Sequence, residues 1–389
     1  MHSRVPIKVL TQLFTQQPQL VNQVITSLYR KHFSVNLDYH FKNGKSAPPK
    51  QVSLKITNKC NLRCKMCAQW GESGYNFTRP GKVVNKEVSL EVYKKLIDDV
   101  KPHKPIFYIW GGEPFLYKPI MDVLYYLKEN NLTTTIVTNG IKLKDNAAEL
   151  VNMGLDGLLI SLDGTEEVHN QIRGWDDCFQ HLVTGLDEVN RLKKEKNSIL
   201  PYLVFLVTVS KDNADSLHEI FRKCEELNAD AVICYYSWFT NEEIGQAHTE
   251  LMENRLDTIP SAWKGYLLST DEIDINAIQQ NVEKIQSEKW DFQYLFLPDL
   301  KIDQIPEYYN NPAETFNYKQ CVAPWLITEI MPNGDVVTCR DYSDYITGNI
   351  EETSITEIWN NEKYQKFRNV LKDEKLLPIC SRCCGLMGF

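Results

Sequence analysis

A regular alternation of β-strand and α-helix patterns runs through residues 51–240, and it limits the fold more than any other feature of the sequence. Strands that recur with one helix between each pair form parallel βαβ units with right-handed crossovers. Six such units predict an α/β fold, a partial (β/α)6 TIM-like barrel, with its active site at the carboxyl ends of the strands. The predicted strands are 52–57, 106–110, 133–138, 157–162, 202–209 and 230–235, and the predicted helices are 89–100, 119–130, 145–153, 178–194 and 213–227.

The composition narrows the class of protein. The chain has 389 residues, a formal net charge of −8 and no long basic run, which argues against a nucleic-acid partner. No apolar run reaches membrane-spanning length, and the first 30 residues lack the continuous apolar segment of a signal peptide. Eleven cysteines in a chain without a secretory start indicate metal or redox chemistry rather than a disulfide framework. We therefore expect a cytoplasmic protein that does not contact a membrane.

Three cysteines, Cys60, Cys64 and Cys67, lie within eight residues directly after the first predicted strand. Three thiolates from one tight loop can each hold one iron of a [4Fe–4S] cluster, which leaves the fourth iron without a protein ligand. An open coordination position on a metal is where chemistry takes place. A zinc knuckle is the alternative, but it needs a further ligand, and residues 68–81 contain no Cys or His.

A second group of cysteines lies near the carboxyl terminus and comprises Cys321, Cys339, Cys380 and Cys383. The first two flank a predicted β-hairpin whose turn contains Asn333-Gly334. A helical pattern follows the hairpin, and the Cys-x-x-Cys pair comes after it. This arrangement can hold a second metal centre, either zinc or an iron–sulfur cluster, because both accept four thiolates. Cys384 is adjacent to Cys383 and is not assigned as a ligand.

The CX3CX2C spacing of Cys60, Cys64 and Cys67 resembles the signature of the radical S-adenosylmethionine (radical SAM) enzymes. The resemblance implies that the open iron binds the amino and carboxylate groups of SAM. It also implies that an electron from the cluster splits the sulfonium, and that the resulting 5′-deoxyadenosyl radical abstracts a hydrogen atom from the substrate. Met66 stands where the family often has an aromatic residue against the adenine.

The resemblance extends to residues at the ends of the following predicted strands. Gly111, Gly112 and Glu113 match the family motif that accepts hydrogen bonds from the SAM amino group. Ser161 and Asp163 end the fourth strand, as do family contacts to the ribose hydroxyls, although Asp-Gly is also an ordinary turn pair. Arg173 resembles a contact to the SAM carboxylate, and a solvated surface arginine is the alternative.

The carboxyl-terminal cysteines resemble the SPASM/twitch extension of radical SAM enzymes. The resemblance implies one auxiliary [4Fe–4S] cluster held by Cys321, Cys339, Cys380 and Cys383. It also divides the chain into four parts. These are a helical extension (1–48), a radical SAM core (49–240), a connector or insertion (241–315) and an auxiliary-cluster domain (316–389). The extension is either a cap on the core or a docking surface, and aromatic residues of the connector are expected to pack its irregular chain, with His248 not assigned to a metal.

These features predict an enzyme rather than a non-catalytic metal-binding interaction protein. The expected reaction is oxidative modification of a peptide or protein, such as a ribosomally made precursor, with the auxiliary cluster handling electrons. A sugar or aminocyclitol dehydrogenase is the alternative, since the extension with one cluster resembles that group. The implied partners are SAM, a peptide or small-molecule substrate, an electron donor such as flavodoxin or ferredoxin, and a separate leader-peptide-binding protein.

Overall fold

The computed structural model of the protein describes residues 29, 33–77 and 79–387. One sheet of ten strands organises this part of the chain, in the order β10-β9-β8-β1-β2-β3-β4-β5-β6-β7. Strands β8 and β1 to β7 are mutually parallel, and β9 and β10 add an antiparallel edge. The strands are β1 (Gln51–Thr57), β2 (Ile106–Gly111), β3 (Thr134–Thr138), β4 (Gly157–Ser161), β5 (Tyr202–Thr208), β6 (Ala231–Tyr235), β7 (Gln293–Leu297), β8 (Ile327–Ile330), β9 (Asp335–Val337) and β10 (Ile346–Asn349).

Helices separate most of the parallel strands, as the alternating pattern predicted. No helix among the described residues is both long and apolar enough to cross a membrane. The helices are α1 (Val35–Phe41), α2 (Gly81–Val84), α3 (Leu90–Val100), α4 (Ile120–Glu129), α5 (Leu143–Asn152), α6 (Glu166–Arg173), α7 (Cys178–Glu195), α8 (Leu217–Glu226), α9 (Glu242–Leu256), α10 (Ile275–Ser287), α11 (Ile305–Asn310), α12 (Ile355–Ile358), α13 (Glu362–Glu374) and α14 (Cys384–Met387).

The predicted barrel is confirmed, and its six strands begin and end within one or two residues of the prediction. Successive side chains of a strand point to opposite faces of the sheet. In β1, Val52, Leu54 and Ile56 belong to the main hydrophobic core, while Ser53 and Lys55 alternate with them and point to the other face. The polar members of this strand therefore line the inside of the barrel, below the carboxyl ends of the strands.

The connector contains more regular structure than the sequence predicted. Helix α10 and strand β7 form a further β/α unit, because β7 pairs in parallel with β6, from Ala231 opposite Gln293 to Tyr235 opposite Leu297. The aromatic residues do pack this region: the ring of Phe221 on α8 stacks on Phe296 at 5.8 Å. A short strand whose residues pack through aromatic rings gives a weak periodic signal, so the sequence pattern missed it.

The carboxyl-terminal residues complete the sheet instead of forming a separate body. The predicted hairpin is present as β8 and β9, and β8 pairs in parallel with β1, from Gln51 opposite Ile327. The single predicted helix is two helices, α12 and α13. The sheet joins the predicted core, connector and auxiliary-cluster domain, and the main hydrophobic core also includes Val35 and Tyr39 of the predicted extension. The four-part division of the chain remains a prediction.

Only the last part of the predicted helical extension can be described, because residues 1–28 lie outside the described residues. Helix α1 buries Val35 and Tyr39, and the Tyr39 ring lies 4.9 Å from that of Trp325. Its outer face exposes Leu37 and Phe41, and Phe33, which precedes the helix, is also exposed. The described part of the extension therefore packs on the carboxyl-terminal part of the chain, as a cap would.

Candidate active site and auxiliary metal centre

A cavity of about 390 Å³ opens at the carboxyl ends of the parallel strands. It collects residues from the loop after β1, the end of β2, the end of β4 and the end of α6, which are far apart in sequence. Most of the predicted site residues line it: Cys60, Cys64, Met66, Cys67, Gly111, Gly112, Ser161 and Arg173. The side chains of Glu113 and Asp163 do not form part of the cavity wall.

Two glycines at the end of β2, Gly111 and Gly112, allow a close approach of the loop that carries Cys60, Cys64 and Cys67, which we call the cluster loop. A Cβ on Gly111 would lie 2.4 Å from the Thr57 carbonyl oxygen, and one on Gly112 would lie 2.2 Å from that of Lys59. The backbone N–H of Gly112 donates to Thr57 at 2.8 Å, and that of Glu113 donates to Lys59 at 2.8 Å. These bonds fix the backbone that leads into Cys60. No other residue type fits here, because any side chain would collide with backbone.

Glu113 lies just after the end of β2, and its side chain points into the protein. Its carboxylate accepts hydrogen bonds from the Phe115 N–H at 3.2 Å, the Thr138 hydroxyl at 3.0 Å and the Asn139 N–H at 2.8 Å. Burial raises the pKa of Glu113 to about 7. The carboxylate joins the ends of β2 and β3 behind the cavity wall, and the predicted contact of Glu113 with a bound cofactor stays a prediction.

Asp163 and Arg173 form a buried ion pair beside the cluster loop. The other oxygen of Asp163 accepts a hydrogen bond from the Thr208 N–H at 2.8 Å, so this carboxylate is committed to the protein. The predicted contact of Asp163 with the ribose stays a prediction. Arg173 is only 8% exposed, which excludes the surface alternative, and its Nη1 lies 3.6 Å from the Cys64 sulfur. Arg173 is thus held between the carboxylate and the cysteine while it also lines the cavity.

Several residues of the site were not singled out from the sequence. Lys55 is 1% exposed inside the barrel, and its ammonium donates to the Tyr75 hydroxyl at 3.0 Å. Burial lowers the pKa of Lys55 well below its ordinary value. Arg340 donates to Glu329 at 3.2 Å and lies 4.4 Å from the Tyr108 ring. The sequence does show that Lys55 interrupts an otherwise uncharged strand. Whether such a lysine reaches the site depends on which face of the strand points into the barrel.

Aromatic side chains make up much of the cavity wall that the sequence did not predict. They come from the cluster loop, from β2 and from the chain that follows β6. These residues are Trp70, Tyr75, Tyr108, Trp110, Tyr235, Trp238 and Tyr266. Such rings provide a large apolar contact surface, and tyrosine and tryptophan add polar groups that can orient a ligand.

The four carboxyl-terminal cysteines line a second cavity. Cys321 precedes β8, Cys339 follows β9, and Cys380 and Cys383 lie in and directly after the turn Pro378–Arg382. Every cysteine whose side chain the structure describes is a free thiol. Arg340 and Asp341 line both cavities, so these two residues form the shared wall.

The four thiols give this cavity the donor set of a metal centre. Four cysteine sulfurs can ligate either a zinc ion or a [4Fe–4S] cluster.

Comparison with known proteins agrees with this chemistry. The profile of the radical SAM superfamily matches residues 54–224, and that of SPASM, an iron–sulfur cluster-binding domain, matches residues 321–384. The chain is a radical SAM enzyme with a carboxyl-terminal SPASM domain. Its cofactors are therefore SAM, a SAM-binding [4Fe–4S] cluster and an auxiliary iron–sulfur cluster.

Individual relatives cover most of the chain. It is 26% identical over 360 residues to the tungsten-containing aldehyde ferredoxin oxidoreductase cofactor-modifying protein of Pyrococcus furiosus, covering 86% of this chain and 87% of that protein. It is 25% identical over 336 residues to the PqqA peptide cyclase of Bradyrhizobium diazoefficiens, covering 82% and 75%. The crystal structure of Streptococcus suis SuiB bound to precursor peptide SuiA has a TM-score of 0.58 at 17% identity, covering 87% of this chain and 70% of that one. That likeness shows a shared fold.

Proposed function

We propose that this enzyme oxidatively modifies a peptide or protein, such as a ribosomally made precursor. The observation that carries the proposal is the shared wall of the two cavities, formed by Arg340 and Asp341. The substrate would bind in the cavity that Cys60, Cys64 and Cys67 line. It would then have the radical source on one side and, beyond the shared wall, an electron acceptor on the other. Loss of a hydrogen atom and then of an electron and a proton is a net oxidation. The similarity to a peptide cyclase and the fold shared with SuiB support a peptide as the substrate.

The proposal gives each lining residue a role. Cys60, Cys64 and Cys67 would hold the first cluster, which supplies a 5′-deoxyadenosyl radical when SAM is bound and an electron is available. The exposed backbone at Gly111 and Gly112 would accept from the SAM amino group, and Arg173 would attract its carboxylate. Ser161 would contact the ribose and Met66 the adenine.

The auxiliary centre would be held by Cys321, Cys339, Cys380 and Cys383. Four thiolates leave no open position on a cluster, so this centre would exchange electrons and would not bind substrate. An external reductant such as flavodoxin or ferredoxin would supply electrons to the first cluster. A separate leader-peptide-binding protein and a cytoplasmic location belong to the same proposal.

A second candidate function is modification of a small cofactor. It is favoured by the similarity to the Pyrococcus furiosus cofactor-modifying protein, which extends over most of both chains. The aromatic wall of the cavity in this chain would suit a planar ligand as well as a peptide side chain. The predicted sugar or aminocyclitol substrate has no such support from this cavity.

The test begins with anaerobic reconstitution, SAM and dithionite. We expect 5′-deoxyadenosine from the wild type and none from Cys64→Ala, whereas Cys224→Ala, which alters a buried cysteine on α8, should behave as wild type. Peptides encoded by neighbouring genes are then offered, and mass spectrometry should detect loss of two hydrogen atoms. If 5′-deoxyadenosine forms but no such peptide is modified while a small cofactor precursor is, the second candidate replaces the first.

A further inference from the structure

His248 lies on α9 and is buried beside the auxiliary cysteines. It is 2% exposed and lines the same cavity as Cys321, Cys339, Cys380 and Cys383. Helix α9 packs against the turn Pro378–Arg382, which carries Cys380. The imidazole and the four thiols therefore line one cavity.

The position of His248 is fixed by residues one turn before it and one residue after it. A Cβ on Gly245 would lie 2.3 Å from the Trp263 ring, so the helix backbone lies directly on the indole. The indole N–H of Trp263 donates to the Thr249 hydroxyl at 3.2 Å. These two contacts hold the helix so that His248 faces the cavity. The histidine is thus rigidly presented and not a mobile surface side chain.

The imidazole has no hydrogen-bond partner among the described residues. Its Nδ1 is fully buried and unpaired, and neither ring nitrogen makes a hydrogen bond to a described residue. A neutral imidazole carries one N–H donor and one acceptor nitrogen. Leaving such groups unpaired in a protein interior costs about 1–3 kcal/mol. An apolar residue would avoid this cost, so the buried imidazole indicates a partner that occupies the cavity.

The lining of the cavity indicates the chemistry of that partner. Its polar lining residues besides His248 include Glu329, one oxygen of which accepts a hydrogen bond from Arg340, and also Thr338, Asp341 and Tyr342. Four further lining residues are cysteines, so a cluster held by them would bring sulfur atoms into the cavity that the imidazole lines. We propose that His248 is a positioning residue of the auxiliary cluster, which donates an N–H···S hydrogen bond to a cluster sulfur or a ligating thiolate. Hydrogen bonds to sulfur withdraw negative charge and raise the reduction potential of an iron–sulfur cluster. His248 would therefore make the auxiliary cluster a better electron acceptor. This inference rests on the auxiliary cluster of the proposed function and not on the identity of its substrate.

The test compares His248→Phe, His248→Gln and a control, His218→Phe, in the anaerobically reconstituted full chain. His218 is a buried histidine that bonds to Glu288 and lines neither cavity. The readout is the reduction potential of the auxiliary cluster, followed by electron paramagnetic resonance, together with the iron content per chain. The signal of the first cluster is recognised because it changes when SAM is added. We expect a lower auxiliary potential in His248→Phe, recovery of most of the shift in His248→Gln, and wild-type iron content and potential in the control.

Two results would overturn the proposal. One is an unchanged auxiliary potential in His248→Phe. The other is loss of auxiliary iron in both His248 variants, which would make the histidine a ligand. If His248→Phe does not fold, pulsed electron paramagnetic resonance on the wild type labelled with 15N-histidine tests the hydrogen bond instead. A weak 15N coupling to the auxiliary cluster supports the hydrogen bond, while a strong coupling or none contradicts it. Absence of peptide modification in every variant would count against the proposed substrate alone.

Discussion

The backbone N–H of Asn139 donates a hydrogen bond of 2.8 Å to the buried carboxylate of Glu113. This bond joins the end of β3 to the end of β2, directly behind the cavity that collects the cluster cysteines. The acidic residue of the Gly-Gly-Glu motif thus acts on the scaffold of the site. Its neighbours Gly111 and Gly112 form the cavity wall in its place.

The Glu113 carboxyl group predicts a specific pH dependence of stability. Burial raises its pKa from 4.5 to about 7, so the folded protein holds a proton that the unfolded chain has lost. Its contribution to stability is therefore complete below about pH 4.5 and is lost as the pH rises through about 7, by roughly 3 kcal/mol in all. We expect this part of the pH dependence to be absent in Glu113→Gln. Anaerobic thermal unfolding of both proteins between pH 5.5 and 7.5 measures it, and parallel curves would contradict the prediction.

The buried pair of Asp163 and Arg173 predicts a non-additive pair of substitutions. Arg173→Met leaves a buried carboxylate without its cation, which costs about 3–5 kcal/mol. Asp163→Asn in addition removes the charge that was left unpaired, so the double variant should be more stable than Arg173→Met alone. Denaturant unfolding of the wild type and three variants completes the cycle. Additive losses would mean that the two side chains act independently.

The close approach at Gly112 predicts a selective loss of iron. In Gly112→Ala the new Cβ would collide with the Lys59 carbonyl and displace the backbone that leads to Cys60. We expect the iron content of the reconstituted protein to fall from about eight towards about four per chain, since the auxiliary cysteines are untouched. Gly81→Ala is the matched control, because the only atom within 4 Å of its added Cβ belongs to the flexible Asn85 side chain at 3.8 Å. Equal iron content in both variants would contradict this role for Gly112.

The contacts of Arg368 predict a large contribution of this side chain to the stability of the folded protein. It is fully buried, donates to the carbonyl oxygens of Pro324, Gly44 and Trp359, and lies about 4 Å from the rings of Trp359 and Tyr364. A lysine cannot reproduce this planar set of donors. Arg368→Lys should therefore lose about 2–4 kcal/mol of stability, measured by denaturant unfolding. The exposed Arg222→Lys, whose cation pairs with Glu225 and Glu288 at the surface, should change it by less than about 1 kcal/mol.

Local patterns in the sequence were enough to predict the barrel and the two groups of metal-binding cysteines. Strand and helix periods are local, so the six strands could be predicted to within a residue or two, and the spacing of Cys60, Cys64 and Cys67 requires only a short loop. The two groups of cysteines can likewise be recognised from their positions along the chain.

Which side chains face the site could not be predicted in the same way. Glu113 and Asp163 turn into the scaffold, whereas Lys55 and His248 are brought into the interior beside the two cavities. Burial and direction depend on which face of each strand or helix meets its neighbours. Those neighbours come from segments that are tens to hundreds of residues away. Long-range packing of this kind leaves no local sequence signal, and it is what places the two groups of cysteines in two cavities that share Arg340 and Asp341.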